Sequence, residues 1–255
     1  MTGTALAVEL EGVRFSYGGG PVVLDIPSLR LEAGTRTFLH GPSGSGKTTL
    51  LGILAGVLRA DSGSVRVLGE DLTSMSGPRR DAFRARHIGY VFQMFNLIPY
   101  LSVMENIVLP VRMHATRRRR MREATPRAEA HRLASALEID HALDASVGAL
   151  SVGQQQRVAA CRALIGSPEL IIADEPTSSL DHDRRDAFLD LLLEACEGAG
   201  STLVFVSHDR TLASHFQQEV SLADANRAGA AAARAVPKGD GRTTDTASVG
   251  AGGPD

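Results

Sequence analysis

Apolar and polar positions alternate from Leu6 to Phe15 and again from Leu29 to Leu39 across Gly34, which predicts antiparallel strands at the start of the chain. Thr37-Phe38-Leu39-His40 then runs into a glycine loop and the apolar helical stretch Thr48 to Leu58, giving strand, loop, helix. Three short runs, Ile88 to Phe92, Leu170 to Ala173 and Thr202 to Val206, have the unbroken hydrophobicity of parallel strands buried on both faces. Between Met104 and Leu164 the period becomes helical, with Ala130, Leu133, Ala134 and Leu137 at i, i+3, i+4 and i+7. Phe188, Leu191, Leu192 and Ala195 form one more amphipathic helix before the last parallel strand, completing a β-α-β crossover. The pattern predicts an α/β fold with an N-terminal antiparallel β layer, a mixed core sheet and a helical subdomain inserted at about residues 95–165. After Val236 it stops: Pro237 to Asp255 has almost no large apolar side chain and cannot offset its ordering entropy. The expected division is therefore a folded domain over 1–235 and a disordered tail over 236–255.

Composition narrows the class. The 255 residues are 43% hydrophobic, enough for one sizeable domain, and the net charge of −2 gives no general electrostatic reason to expect a nucleic-acid partner. The longest nearly apolar stretch, Leu50 to Leu58, is far short of the roughly 20 residues that span a bilayer. Met1 to Leu10 has neither the basic start nor the apolar run of a secretory signal, so a cytoplasmic location is expected. Cys161 and Cys196 lie in helix-like segments and are expected to be buried, reduced thiols.

Gly41-Pro42-Ser43-Gly44-Ser45-Gly46-Lys47-Thr48 fits G-x-x-x-x-G-K-[ST], and it follows a strand and opens a helix as that phosphate loop must. Its glycines let consecutive backbone N–H groups face one concavity, and the following helix adds a partial positive charge at its N-terminus. Lys47 would reach the β- and γ-phosphates and the Thr48 hydroxyl a Mg²⁺ ion, with Thr49 next in line, so the nucleotide is Mg-ATP or Mg-GTP. A dinucleotide G-x-G-x-x-G starting at Gly44 fails because Thr49 stands where the third glycine belongs. The run Leu170-Ile171-Ile172-Ala173-Asp174-Glu175 delivers two carboxylates at a strand's C-terminal end, where open α/β sheets bind ligands. Asp174 suits the Mg²⁺ shell and Glu175 a general base acting on water, so hydrolysis is implied rather than binding alone.

Two further segments resemble a single family. Leu150-Ser151-Val152-Gly153-Gln154-Gln155-Gln156-Arg157 looks like the signature of the ATP-binding-cassette ATPases, and Val206-Ser207-His208-Asp209 like their switch-histidine loop. The order Tyr17, phosphate loop, Gln93, signature, Asp174-Glu175, Ser179-Leu180-Asp181, His208 is that family's order, over roughly residues 6 to 225. The resemblance implies an ATPase of the P-loop NTPase fold, with Tyr17 stacked on adenine, Gln93 sensing Mg²⁺ and water, and His208 at the γ-phosphate. It also implies a homodimer in which each ATP lies between one chain's phosphate loop and the other's Ser151, Gly153 and Gln154. Ser151 and Gly153 precede the helix-like stretch from Gln154 to Leu164, whose N-terminus is a second anion-binding end. Phe92 to Pro99, Leu101 to Asn106 and the triple glutamine resemble the lipoprotein-release, macrolide-export and cell-division ATPases, which work with separate integral-membrane permease chains. That implies a peripheral position on the inner face of the cell membrane, powering export or membrane extraction of a lipoprotein, peptide or drug-like substrate.

Some features carry plainer readings. Tyr17 is equally an ordinary hairpin residue before Gly18-Gly19-Gly20, and Gln93 a polar residue at a strand end. Arg117 to Arg120 read as a solvated face, with contact to a membrane partner or anionic headgroups, and then to nucleic acid, as the alternatives. Eight histidines without ligand spacing predict no structural metal site, and Asp181-His182-Asp183 reads as a dimer-interface loop rather than a metal triplet. Val152 departs from the glycine many relatives carry, and Asn226 to Ala235 blur the family's last strand and turn. Two other functions compete: a soluble cassette ATPase acting on translation or DNA, which usually needs two cassettes or coiled coils, and a regulatory binder, which Glu175 and His208 argue against.

Overall fold

Parallel and antiparallel pairing are divided between two sheets in this computed structural model, which describes residues 5–178 and 180–228. The antiparallel sheet has the order β2-β1-β4-β5, built from β1 (Leu6–Ser16), β2 (Val22–Glu32), β4 (Ser62–Val67) and β5 (Glu70–Asp71). The parallel sheet has the order β6-β7-β8-β3-β9, built from β3 (Arg36–His40), β6 (Ile88–Val91), β7 (Leu170–Asp174), β8 (Thr202–Val206) and β9 (Gln218–Ser221). The expected strand Leu6 to Phe15 is β1 and pairs antiparallel with β2, but the second expected stretch, Leu29 to Leu39, is split: its start is the end of β2, which begins at Val22, and its end is β3 of the parallel sheet. Gly34, however, makes no hairpin: the Thr202 hydroxyl accepts its N–H at 2.9 Å and Leu203 donates to Thr35, so β8 captures the chain as it leaves the turn.

Helix α1 (Lys47–Leu54) is shorter than the apolar stretch that announces it. Gly56 takes φ 68°, and the N–H groups of Val57 and Leu58 both turn back to the Gly52 carbonyl, closing the last turn. Helix α2 (Gly77–His87) follows β5. Helices α3 (Val103–Met113), α4 (Ala115–Arg119), α5 (Pro126–Ala136) and α6 (Val152–Leu164) fall between β6 and β7. Helix α7 (His182–Ala199) joins β7 to β8, and α8 (Leu222–Ala225) follows β9. None of the described helices is long and apolar enough to cross a membrane.

The buried strands serve two cores at once, because successive side chains point to opposite faces. Ile171, Ala173, Leu203 and Phe205 join one core with Phe38, Phe188 and the apolar faces of α3, α5, α6 and α7. Leu170, Ile172, Val204 and Val206 join a second core with α1 and the inner face of the antiparallel sheet. Cys161 and Cys196 are free thiols buried in the first core, and burial pushes both up, Cys196 to about 12, so both stay protonated near neutrality.

The arginine run corrects the sequence reading. Arg118 and Arg119 are exposed, but Arg117 is buried and donates to the carbonyls of Ala163 (2.7 Å) and Ile165 (2.7 and 3.1 Å) at the end of α6, and to Ile88 at the start of β6. Arg120 bridges to Glu169. A helix end with no acceptor-satisfying partner of its own is where a guanidinium fork fits, and charge runs are read as solvated only because tertiary carbonyls are invisible in sequence. Ser179 and the tail expected over 236–255 lie outside the described residues.

Candidate functional site

Four adjacent parallel strands end on the same edge, and each hands over to one of the segments singled out by sequence. In sheet order, β6 leads to Gln93, β7 ends at Asp174 before Glu175, β8 leads to His208, and β3 leads to Gly41. The register pairs Leu39 with Val206, Asp174 with Val206 and Val91 with Ala173, so these ends are level.

At the loop itself, Gly46 takes φ 94°, and a Cβ there would lie 2.7 Å from Leu24 Cδ2 and 3.3 Å from the Val23 carbonyl oxygen. Only glycine fits both the conformation and the space. Gly46 is also the N-cap of α1 and brings no side-chain acceptor, so the N-terminal N–H groups stay open to an anion. Gly44 likewise has positive φ, and Gly41 abuts the Ser45 side chain. Lys47 folds back: its Nζ donates to the carbonyls of Gly41 at 2.8 Å and Pro42 at 3.2 Å. Ser45 Oγ is buried without a hydrogen-bond partner among the described residues. Pro42, Ser43, Gly44 and Ser45 line one wall of a cavity of about 480 Å³.

Thr49 is buried on α1, and its hydroxyl shares a 3.1 Å hydrogen bond with Tyr17, whose ring stands edge-on to Phe15 at 4.8 Å. Tyr17 is therefore tethered at its hydroxyl to the phosphate-loop helix while its ring remains 54% exposed. Gln93 is exposed and makes no hydrogen bond among the described residues.

Asp174 is buried at the end of β7. Burial and the neighbouring Glu175 raise its pKa, while hydrogen bonds from Thr48 and Tyr90 and the charge of Lys47 act the other way. Tyr90 escaped the sequence reading. Opposite Ile172 in the parallel register, it shares a face with Asp174 two residues on, and its hydroxyl reaches Asp174 Oδ2 at 3.5 Å. Its ring stacks on Phe92 at 4.1 Å, next to Gln93. A hydroxyl-bearing aromatic in an otherwise aliphatic strand was the available signal.

Glu175 adopts φ 49°, a conformation non-glycine residues rarely take, held by its N–H donating to the Val206 carbonyl at 3.0 Å. Its Oε2 lies 2.6 Å from His208 Nδ1. Left-handed backbone at a non-glycine residue costs free energy, and here it places an acid at the strand end beside a histidine.

Ser151 caps α6 and does not stand outside a helix that begins at Gln154: its hydroxyl accepts from Gln154 N–H while the Gln154 side chain accepts from Ser151 N–H. This capping box starts the helix at Val152, two residues earlier than the sequence suggested, and puts Gly153 in its first turn. Ser151, Gly153 and Gln154 line a separate cavity of about 560 Å³ with Leu180 and the start of α7, which shares no residue with the phosphate-loop cavity.

Fold and loop together define a P-loop nucleotide-hydrolysing protein. The ABC transporter family profile matches residues 24–178. Over 227 residues the chain is 36% identical to a lipoprotein-releasing system ATP-binding protein, LolD, of Syntrophotalea carbinolica, covering 88% of this chain and 98% of the relative. It is 40% identical over 209 residues to the ABC transporter ATP-binding protein YbbA of Escherichia coli, covering 81% and 90%. A solved dimeric structure of the ATP-binding cassette MJ0796, in a post-hydrolysis state bound to ADP and Pi, superposes with a TM-score of 0.73 at 32% identity, covering 84% of this chain and 93% of that one. The chain belongs to the ABC transporter family. It is an ATP-binding ATPase subunit whose hydrolysis is coupled to transport.

Proposed function

We propose that ATP binds with its phosphates in the Gly41–Thr48 loop and is hydrolysed through Glu175, in a homodimer that drives separate permease chains in the membrane. The observation that carries this reading is the pair of carboxylates at the end of β7: Asp174 buried beside Thr48, and Glu175 turned by its positive φ toward His208. A Mg²⁺ ion fits the Thr48 hydroxyl and the Asp174 carboxylate, an oxygen donor set in a desolvated spot that favours a cation, with exposed Gln93 free to approach. When bound, the ion neutralises phosphate charge.

Lys47 gives up the Gly41 and Pro42 carbonyls for the β- and γ-phosphates, and the unpartnered Ser45 hydroxyl gains an acceptor. Tyr17 offers its exposed ring to adenine. Glu175 accepts a proton from the attacking water as its oxygen bonds to the γ-phosphorus and the bond to ADP breaks; His208 orients the γ-phosphate. The loop supplies donors to one side of the phosphates only, and the Ser151, Gly153 and Gln154 end of α6 lines another cavity of the same chain. A second copy supplies that end in trans, so closure follows ATP and opening follows hydrolysis. Similarity to LolD favours a lipoprotein-class cargo and a place on the inner face of the cell membrane, held there by the permease.

Glu175→Gln tests the catalytic assignment. Steady-state hydrolysis should fall by roughly 10²- to 10⁴-fold while Mg-ATP binding stays intact; unchanged turnover rejects Glu175 as the base.

A further inference from the structure

A phosphate loop that turns its N–H groups inward must turn carbonyls outward, and each outward carbonyl needs a partner. One such partner comes from the far end of the chain. Asn226, just after α8 and only 5% exposed, donates from Nδ2 to the Ser45 carbonyl at 3.0 Å and to the Val23 carbonyl at 2.9 Å. Its Oδ1 accepts from the N–H groups of Asp25 at 2.8 Å and Ala228 at 3.1 Å. Every donor and acceptor of the amide is used, and Asn226 lines the phosphate-loop cavity together with Ser43 and Gly44.

The geometry points to Asn226 as a positioning residue for ATP, acting through the peptide that joins Ser45 to Gly46. That peptide's oxygen accepts from Asn226, while its N–H, on Gly46, has no protein acceptor among the described residues. A hydrogen bond to the oxygen polarises the whole amide and strengthens the N–H on its other side. Asn226 also fixes Ser45 against Val23, the residue whose carbonyl crowds Gly46. The loop is thereby held open before nucleotide arrives, and the binding of phosphate costs less reorganisation. Asparagine is required rather than any polar residue, because two donors and two acceptors must be met from one planar group. An aspartate of the same shape would still accept from Asp25 and Ala228 but would face the Ser45 and Val23 carbonyls with oxygen, and would bring a negative charge to the cavity.

The inference rests on the reading that this loop binds the phosphates, so Lys47→Ala is measured alongside. In the full chain, Asn226→Ala should raise the Kd for Mg-ATP by roughly tenfold, the worth of about one hydrogen bond, with kcat at saturating ATP within about twofold. Asn226→Asp, nearly isosteric, should raise Kd several-fold further because it adds a negative charge to the phosphate-loop cavity, and that increment should shrink as salt is raised, which lost packing alone would not do. The Gly46 amide proton resonance should move upfield in both variants without nucleotide. If both bind Mg-ATP within twofold of the wild type while Lys47→Ala is weakened, Asn226 has no positioning role. If Lys47→Ala also binds normally, the phosphate-loop reading itself fails.

Discussion

Arg117→Met removes a buried guanidinium and strands the carbonyls it serves. Three of its hydrogen bonds are short, at 2.7, 2.7 and 3.1 Å, and each is charge-assisted, worth roughly 1.5 to 3 kcal/mol, so about 4.5 to 9 kcal/mol is at stake. Against this stands burial, which together with the charge of Arg120 pushes the guanidinium pKa down to about 10, a penalty of roughly 3 kcal/mol that the methionine relieves. The balance is a loss of about 1.5 to 6 kcal/mol. At roughly 2 to 4 °C per kcal/mol for a chain of this size, Tm should fall by at least about 3 °C. Urea denaturation and calorimetry read both quantities. Arg118→Met, one residue along and exposed, should change stability by less than about 0.5 kcal/mol, and Arg117→Lys should recover only part of the loss because an ammonium cannot span three carbonyls. Equal effects at Arg117 and Arg118 would refute the assignment and restore the solvated face.

Two further outcomes follow from local geometry. Gly46→Ala forces a side chain into a φ of 94° with a Cβ 2.7 Å from Leu24, so about 2 to 4 kcal/mol of stability and at least about tenfold in ATP affinity should be lost; binding within twofold of wild type in an equilibrium titration contradicts this. Glu169 is lowered on balance: burial raises it, but the His87 hydrogen bond and the charges of His87 and Arg120 prevail. Its contribution is therefore present above the ordinary carboxylate value of 4.5 and is lost as pH falls through the lower folded value. Being partly exposed, it is worth about 0.5 to 1 kcal/mol. In urea melts the difference between wild type and Glu169→Gln should shrink steadily as pH falls below about 4.5, and a difference constant between about pH 6 and pH 3 would remove Glu169 from the account.

What the sequence made legible was local and contiguous. The phosphate loop, the Asp174-Glu175 step and the buried parallel strands each sit in one short stretch with its own period or spacing, and the α/β class with an antiparallel layer followed from them. Contacts between distant segments were not legible. Gly34 looked like a hairpin turn because nothing near it announces capture by Thr202, 168 positions away. Strand β4 begins with Ser-Gly-Ser and β5 has two residues, so neither shows a period, and α2 carries a single buried apolar residue, Phe83, on an arginine-rich helix. Asn226 stood in an alanine-rich stretch that read as a loss of pattern, yet three of its four hydrogen bonds join β2 to the phosphate loop. Ser151 was recognised by resemblance, but its capping box with Gln154 could have been read directly from Ser-x-x-Gln, which would have begun α6 at Val152.

The central claim is that one chain holds only half of each ATP site. Light scattering of the 255-residue Glu175→Gln variant, which is proposed to bind ATP without consuming it, tests this directly. Mg-ATP should double the mass from 27.0 kDa, and Gly153→Asp, which sets a carboxylate at the first turn of α6, should abolish the doubling. A monomer at saturating Mg-ATP, or a dimer indifferent to Gly153→Asp, would contradict the two-subunit clamp.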